Sequence, residues 1–67
     1  MTTHTLRPDK ENWILTDDSG AVIFNERKTK MKAVVDAMVL AKAKRGYLTV
    51  LRSDGTVEDE RSYSKHG

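Results

Sequence analysis

The only long run of helical periodicity in the chain lies between Thr29 and Gly46. At 100° per residue, a set of apolar side chains falls within one third of the circumference and forms the stripe that an amphipathic helix buries against a core. These residues are Ala33, Val34, Ala37, Leu40 and Ala41. Because most of them are alanines, the helix can approach a sheet closely. The ends favour Thr29 as the N-cap and Gly46 as the left-handed residue beyond the C-cap.

A second apolar line follows roughly the opposite side of the same helix. It consists of Met31, Val35 and Val39, with Met38 on its flank, and we name it the outer helix line. A helix that covers one sheet needs a single apolar face, so these residues are either ordinary exposed apolar surface or a contact with another chain. Because their i, i+4, i+8 spacing aligns them as a seam, we regard a contact with another chain as equal in weight to ordinary exposed surface.

Outside this helix, apolar and polar residues alternate over short stretches that end in turn residues, which is the pattern of strands. The predicted strands cover residues 3–7, 13–16, 21–25, 47–52 and 56–58. Pro8 opens a turn that runs to residue 12, and Gly20 closes the turn of a hairpin. Between the last two strands, Asp54 and Gly55 favour a two-residue type I′ turn.

The alternation also predicts which side chains share a face of the sheet. The helix-facing set contains most of the bulk, namely Trp13, Leu15, Val22, Phe24, Leu48, Val50 and Val57. The opposite side, which we name the open sheet face, carries Ile14, Ile23, Tyr47 and Leu51. This face is more apolar than a fully solvated face requires.

The element order is therefore β-β-β-α-β-β, which predicts an α+β fold with an antiparallel sheet and one helix packed on one of its faces. Residues 1–67 make one small domain, with a polar tail after about residue 63. A chain of this size buries only about 60% of its unfolded surface, so association would add stability. With neither a signal-type apolar region nor a membrane span in the sequence, we expect a cytoplasmic protein.

The composition offers little for catalysis. The chain has no cysteine, which excludes a disulfide framework or a thiolate metal site. The only histidines, His4 and His66, lie in the two end segments, and we expect neither to have a functional role. The acidic groups at residues 17–18 and 58–60 lack the spacing of a calcium loop, and no glycine-rich phosphate loop is present. We expect no enzymatic activity, no cofactor, no metal site and no small-molecule substrate.

Positive charge is concentrated on and just before the helix. Residues 27–45 hold seven basic residues and one acidic residue, a net charge of +6, which leaves −4 for the rest of a chain whose total is +2. The basic residues are Arg27, Lys28, Lys30, Lys32, Lys42, Lys44 and Arg45. Lys30 and Lys32 oppose the helix dipole in the first turn, and Lys32 occupies the N3 position where a capping box has Glu or Gln. Nucleic-acid phosphates would offset this repulsion, although a charged helix is more often simply solvated.

Short motifs are spread over nearly the whole chain: Trp13-x-Leu15, Thr29-Lys30 before the alanine stripe, Ala41-Lys42, Leu48-x-Val50, Asp54-Gly55 and Ser62-Tyr63. Together they resemble the short bacterial proteins of domain of unknown function 2188. The resemblance implies a fold but brings no activity. The chain departs from the family pattern at Lys32, where Glu is usual, and at Val35 and Val39, where polar residues are common.

These features favour a small non-enzymatic protein-interaction module. It would self-associate as a homodimer or dock on a larger protein, through the outer helix line or the open sheet face. A phage or mobile-element inhibitor of a host complex belongs to the same class of function, beside a housekeeping role. The alternative is sequence-nonspecific nucleic-acid binding through the basic residues.

Overall fold

A computed structural model describes residues 2–63, in which one helix packs on a five-stranded sheet. The elements in chain order are β1 (Thr3–Asp9), β2 (Asn12–Thr16), β3 (Val22–Arg27), α1 (Lys30–Ala43), β4 (Tyr47–Leu51) and β5 (Val57–Ser62). This order confirms the predicted α+β fold. The tail predicted after residue 63 lies outside the described residues.

The strands lie in the order β3-β2-β1-β4-β5. β1 and β4 pair in parallel and the other neighbours pair antiparallel, so the sheet is mixed rather than wholly antiparallel. The length of α1 explains the parallel pair, because its 14 residues span about 21 Å and the 6 residues of β3 span about 20 Å. The helix therefore returns the chain to the end of the sheet where β3 began, and β4 runs in the direction of β3 and β1.

The core lies between α1 and the sheet and contains the predicted alanine stripe. Ala33, Ala37 and Ala41 are fully buried, while Val34 and Leu40 are half-buried at the edge of the same cluster. The buried sheet residues of this cluster are Leu6, Leu15, Leu48 and Val50. Because each alanine presents only a methyl group, the helix backbone comes close to the leucines. Each fully buried leucine contributes about 1.5–3 kcal/mol, so this layer supplies much of the stability of the domain.

The start of α1 follows the sequence prediction. The Thr29 backbone has an extended conformation, with φ −70° and ψ 159°. Its Oγ1 accepts a hydrogen bond from the Lys32 backbone N–H at 3.2 Å, and its carbonyl accepts the first helical bond from Ala33 at 2.9 Å. Thr29 is therefore confirmed as the N-cap.

The end of α1 differs from the prediction. The C-cap is Lys44, and the left-handed residue is Arg45 with φ 54°, so the assignment of this role to Gly46 is wrong. The Arg45 N–H donates to the Lys42 carbonyl and the Gly46 N–H to the Ala41 carbonyl, both at 3.0 Å. These two bonds form a Schellman motif, which satisfies the last carbonyls of the helix with a residue other than glycine in the left-handed position.

Gly46 is required for a different reason, which is close backbone approach. A Cβ atom at Gly46 would collide with the carbonyl oxygen of Thr2. That carbonyl accepts a hydrogen bond from the Tyr47 N–H, and the Gly46 carbonyl accepts one from the Tyr63 N–H, both at 2.8 Å. Gly46 thus lets the start of β1 and the end of β5 meet the chain where it leaves the helix.

The β1–β2 hairpin is tighter than predicted. β1 continues through Pro8 to Asp9, which pairs with Asn12, so the turn contains only Lys10 and Glu11. Lys10 has φ 58°, a left-handed conformation that L-residues adopt at some cost.

The β4–β5 hairpin has a longer loop than predicted. The Gly55 N–H donates to the Arg52 carbonyl at 2.9 Å, and the Arg52 N–H donates to the Thr56 carbonyl at 2.8 Å, which encloses a three-residue loop. Gly55 has φ 90°, but Asp54 does not have a positive φ, so the predicted type I′ turn is wrong. Asp54 Oδ1 instead accepts hydrogen bonds from the backbone and hydroxyl of Thr56, at 2.9 and 2.6 Å.

A β-bulge in β3 changes which side chains face the helix. Leu15 pairs with Phe24, but Thr16 pairs with Val22, which leaves Ile23 as the extra residue. A bulge reverses the alternation beyond it, so the exposed Val22 lies on the open sheet face with Thr16 rather than facing the helix. Ile23 lines a cavity together with Leu40 of α1. Its predicted place on the open sheet face is therefore wrong.

The other edge strand, β5, contains the same kind of irregularity. Val50 pairs with Asp59 and Leu51 with Val57, which leaves Glu58 as the extra residue. Val57 consequently lies on the open sheet face opposite Leu51, and its predicted place in the core is wrong.

We expect Gly46→Ala to lower the free energy of unfolding by about 1–3 kcal/mol, because the new methyl group enters filled space. The change should also expose the Tyr47 amide to hydrogen exchange, since this amide donates to the displaced Thr2 carbonyl. Denaturant titration and amide exchange measure both effects. Gly20→Ala is the control for amide exchange: an alanine at φ 87° strains the backbone and so lowers stability by itself, but its methyl group meets no atom within 4 Å and should leave Tyr47 protected. An unchanged Tyr47 exchange rate in Gly46→Ala would contradict the close approach.

Candidate interaction surfaces

The outer helix line is the most exposed apolar part of α1. Met31 is 78% exposed, Val35 is 49% exposed and Val39 is 62% exposed. Met38 is partly buried against the edge of the core cluster. The line therefore consists of three residues open to solvent and one that joins them to the core.

A groove of about 240 Å³ lies beside the outer helix line. It is lined by Val35, Met38, Val39, Lys42 and Tyr63. The Arg61 guanidinium contacts the sulfur of Met38 at 3.4 Å, which fixes one edge of β5 against the helix. An apolar side chain of a partner could enter this groove without displacing any core residue.

The two lysines in the first turn of α1 are neutralised within the domain. Lys30 Nζ lies 2.6 Å from a carboxylate oxygen of Glu58, and Lys32 Nζ lies 3.2 Å from Asp36. Glu58 is the bulge residue of β5, which brings its side chain to the start of the helix. These acids offset the unfavourable position of the lysines in the helix dipole.

The basic residues just before α1 are paired in the same way. Lys28 Nζ lies 2.8 Å from Glu26 and 2.9 Å from Asp36, with its side chain only 11% exposed, and it also stacks 3.9 Å above the centre of the Phe24 ring. Arg27 pairs with Glu11 at 3.3 Å. Among residues 2–63, the basic residues of this group without an ion pair are Lys42, Lys44 and Arg45.

Asp36 is the centre of this network. Hydrogen bonds from Lys28 first, and from Lys32 second, hold the pKa of Asp36 below its ordinary value. Hydrogen bonds to Asp36 and Glu26 correspondingly raise the pKa of Lys28. Both groups are therefore charged over a wider pH range than they would be in an unfolded chain.

The open sheet face has a different composition from the predicted one, because Val22 and Val57 replace Ile23. Tyr47 is exposed, and Ile14 is buried between its cross-strand neighbours Arg7 and Asn25.

The apolar residues of this face form two groups rather than one patch. Thr5 of β1 pairs with Thr16 on one side and Thr49 on the other, so a row of threonines crosses the centre. On this face the central strand β1 carries Thr5 and Arg7, and these polar side chains separate Ile14 and Val22 from the apolar residues of β4 and β5.

His4 is the candidate that the sequence analysis missed. It lies in the central strand β1, is 2% exposed, and is the only buried polar residue among those described, so its predicted place in an idle end segment is wrong. Within the described part of the chain, its Nδ1 has no hydrogen-bond partner. The strict alternation of His4 with Leu6 was the signal for a core-facing position. His66 lies outside the described residues.

The imidazole of His4 lines a cavity of about 350 Å³ at the end of α1. The other residues around it are Thr2, Asp17, Asp18, Ile23, Leu40 and Lys44. Hydrogen bonds from the hydroxyl and backbone of Ser19, at 2.6 and 2.9 Å, are the main reason that the pKa of Asp17 is lowered. Asp17 therefore carries a negative charge next to the cavity at neutral pH.

Residues 2–63 contain no group of three or more metal-binding side chains close enough to hold an ion. The same residues include no helix with the length and apolar character that a membrane crossing requires.

Comparison with known protein families gives a match over nearly the whole chain. The family described as "Uncharacterized protein conserved in bacteria (DUF2188)" matches residues 3–63, which include every strand and the helix. No curated protein and no solved structure matches the chain.

We expect Asp36→Asn to lower the melting temperature at about pH 7, because Lys28 and Lys32 then lose their shared partner. The folded-state pKa of Asp36 is depressed, so its contribution is present above the unfolded pKa and is lost as the pH falls through the folded pKa. The difference from the parent should therefore shrink as the pH falls below the ordinary Asp value of 3.8 and disappear once Asp36 is protonated in the folded protein. Asp18→Asn, at a residue without an ion pair in residues 2–63, is the control for thermal unfolding. Equal melting of Asp36→Asn and the parent at neutral pH would contradict the network.

Proposed function

This chain belongs to the family of domain of unknown function 2188, whose description names no activity, and we propose from its surfaces that it is a non-enzymatic protein-interaction module. It binds through the outer helix line, either to a second copy of itself or to a larger protein, in the cytoplasm.

The observation that carries this proposal is the exposed apolar seam on a very small domain. Met31, Val35 and Val39 follow one another at i, i+4 and i+8, and each is about half exposed or more. The adjoining groove gives the seam a concave side into which an anchor residue fits. Helix-in-groove and helix-on-helix recognition both use apolar anchors at this spacing.

The open sheet face supports the same class of function less well. Its apolar residues are divided by the polar side chains of β1, and Ile14 is already buried. A partner on this face would have to cover polar β1 positions between two apolar groups, whereas a partner on the outer helix line meets three exposed apolar side chains that follow one another at one-turn intervals.

The test uses a double variant that combines Val35→Glu and Val39→Glu, and compares it with the parent protein. We expect this double variant to keep its circular dichroism spectrum, because both side chains lie outside the core, and to lose the interaction. Sedimentation velocity at micromolar concentration tests for a second copy, and affinity capture with the tagged protein tests for a larger partner. Lys10→Glu is the matched control, because it changes the net charge by the same two units in a turn that does not line the groove.

Two results would contradict the proposal. One is a folded double variant with the same sedimentation behaviour and the same captured proteins as the parent. The other is an equal loss of binding in Lys10→Glu, which would show that net charge rather than the apolar seam controls the interaction.

Nucleic-acid binding is the second candidate. It is favoured by Lys42, Lys44 and Arg45 at the end of α1, which form no ion pair within residues 2–63. Three phosphate contacts would weaken binding by about 40-fold between roughly 50 and 200 mM salt. The other basic residues already have acidic partners, so their charge is not available to phosphates at full strength.

A titration of fluorescent DNA and RNA separates the two candidates. If the protein is an interaction module only, we expect no measurable binding at about 50 mM salt. If it binds nucleic acid, Lys42→Glu with Lys44→Glu should abolish binding. Lys28→Glu with Lys32→Glu should then have a smaller effect, because these lysines are engaged with Asp36.

A further inference from the structure

The charges around the outer helix line differ between the two ends of α1. In the first turn, both lysines form ion pairs with acids of the same domain. At the opposite end of the helix, three exposed basic side chains form no ion pair within residues 2–63, namely Lys42, Lys44 and Arg45. Positive charge that the domain does not offset therefore lies at one end of the apolar seam.

Lys42 connects this charge to the seam. It follows Val39 by three residues and Val35 by seven, so the three side chains lie on the same side of α1. All three line the groove of about 240 Å³, and Lys42 is the only charged residue among the described residues that line it. A partner side chain in the groove therefore meets apolar carbon together with a cation that has no acidic partner in residues 2–63.

A second copy of the chain does not supply the missing acids. The two-fold symmetry of a homodimer would place the outer helix line of one copy against the same line of the other. Asp36 on α1 and Glu58 beside its first turn already pair with lysines of their own domain, so neither is free for Lys42 of another copy. The positive charge that each copy brings to such an interface would then oppose association.

We propose that the partner is an acidic amphipathic helix of a different protein, an inference that rests on the outer helix line being the binding surface. The apolar side chains of this helix pack on Met31, Val35 and Val39, and one of them enters the groove. Its carboxylates lie beside the unpaired basic residues at the end of α1, where they supply the acids that the domain lacks.

The position of these basic residues also determines the direction of the bound helix. Acidic residues stabilise a helix when they occupy its first turn. In a partner helix that runs antiparallel to α1, the first turn lies over the end of α1, so its carboxylates both offset their own helix dipole and pair with the unpaired cations. A parallel helix would place its acidic first turn beside Lys30 and Lys32, whose charge is already offset. The antiparallel direction is therefore favoured.

The test uses two synthetic peptides of about 14 residues, the length of α1, each held in a helix by a hydrocarbon staple. Both carry leucines at i, i+4 and i+8. One has glutamates in its first turn, and the other has lysines at the same positions. By isothermal titration calorimetry with the full chain, we expect the glutamate peptide to bind at least about tenfold more tightly than the lysine peptide.

NMR spectra of the complex test the direction of the peptide. A nitroxide label on the first residue of the glutamate peptide should broaden the amide signals of Lys42 and Arg45. The same label on the last residue should broaden those of Met31 and Lys32. The reverse pattern would overturn the antiparallel direction.

A double variant that combines Val35→Ser and Val39→Ser tests the apolar part of the interaction. It removes apolar surface without adding charge, and it should keep the circular dichroism spectrum of the parent because both side chains are exposed. We expect it to bind the glutamate peptide about tenfold more weakly or worse. Binding as tight as that of the parent would mean that charge alone attracts the peptide, which would overturn the proposal.

A second double variant, Lys42→Gln with Arg45→Gln, tests the charged part. It should bind the glutamate peptide about fivefold more weakly, because two exposed ion pairs are lost. Arg7→Gln with Lys10→Gln is the matched control, since it also removes one arginine and one lysine but from β1 and the β1–β2 turn. Equal weakening in both double variants would indicate attraction to the net charge and would overturn the proposal.

Failure of the acidic partner is distinguishable from failure of the outer helix line. If both peptides bind equally, or if neither binds but the chain self-associates through Val35 and Val39, the line remains a binding surface and only the acidic partner is wrong. If neither peptide binds, the proposal is overturned, and the sedimentation and capture experiments decide separately whether the line binds anything. Tighter binding to vesicles of phosphatidylglycerol and phosphatidylcholine than to the glutamate peptide would also overturn it, in favour of an anionic membrane.

Discussion

The close contact of α1 with the sheet is the interaction on which the rest of the structure depends. Three alanines with no exposed surface place the helix directly over the leucines of β1, β2 and β4. The resulting core is thin, and it holds few large side chains. Stability must therefore come from the close packing of the helix on the sheet rather than from the volume of the core. The backbone contacts at Gly46 contribute to this packing, because they determine where the helix ends relative to β1.

The sequence determines the helix and the order of elements because those depend on local patterns. Thr29 caps the helix that its neighbours predict, and the alternation of Trp13 with Leu15 places β2 correctly against the core. The bulges could not be predicted, because one extra residue in β3 or β5 reverses the face of every side chain beyond it. The sequence around Val22 and Val57 contains no signal that distinguishes a regular strand from a bulged one.

The candidate sites depend on contacts between residues far apart in the chain, which explains what was missed. The bulge that removes Val57 from the core also brings Glu58 to Lys30, and 28 residues separate these two partners. Likewise, His4 is buried only because β1 becomes the central strand when β4 pairs with it in parallel. The net charge of a segment and its distance from the chain end can be read from the sequence, whereas burial and ion pairing depend on the folded structure.

The ion pairs also change the interpretation of the two sequence features that first suggested a function, namely the lysines in the first turn of α1 and the outer helix line. The lysines in the first helical turn need no phosphate, because Glu58 and Asp36 already compensate them. Within residues 2–63, no comparable partner covers Met31, Val35 or Val39, each of which keeps about half or more of its surface in water. A lysine that already forms an ion pair within the domain does not need an external anion to offset its charge. An exposed apolar side chain, by contrast, is stabilised only when another surface covers it. The outer helix line is therefore the feature of α1 that the folded domain itself does not explain.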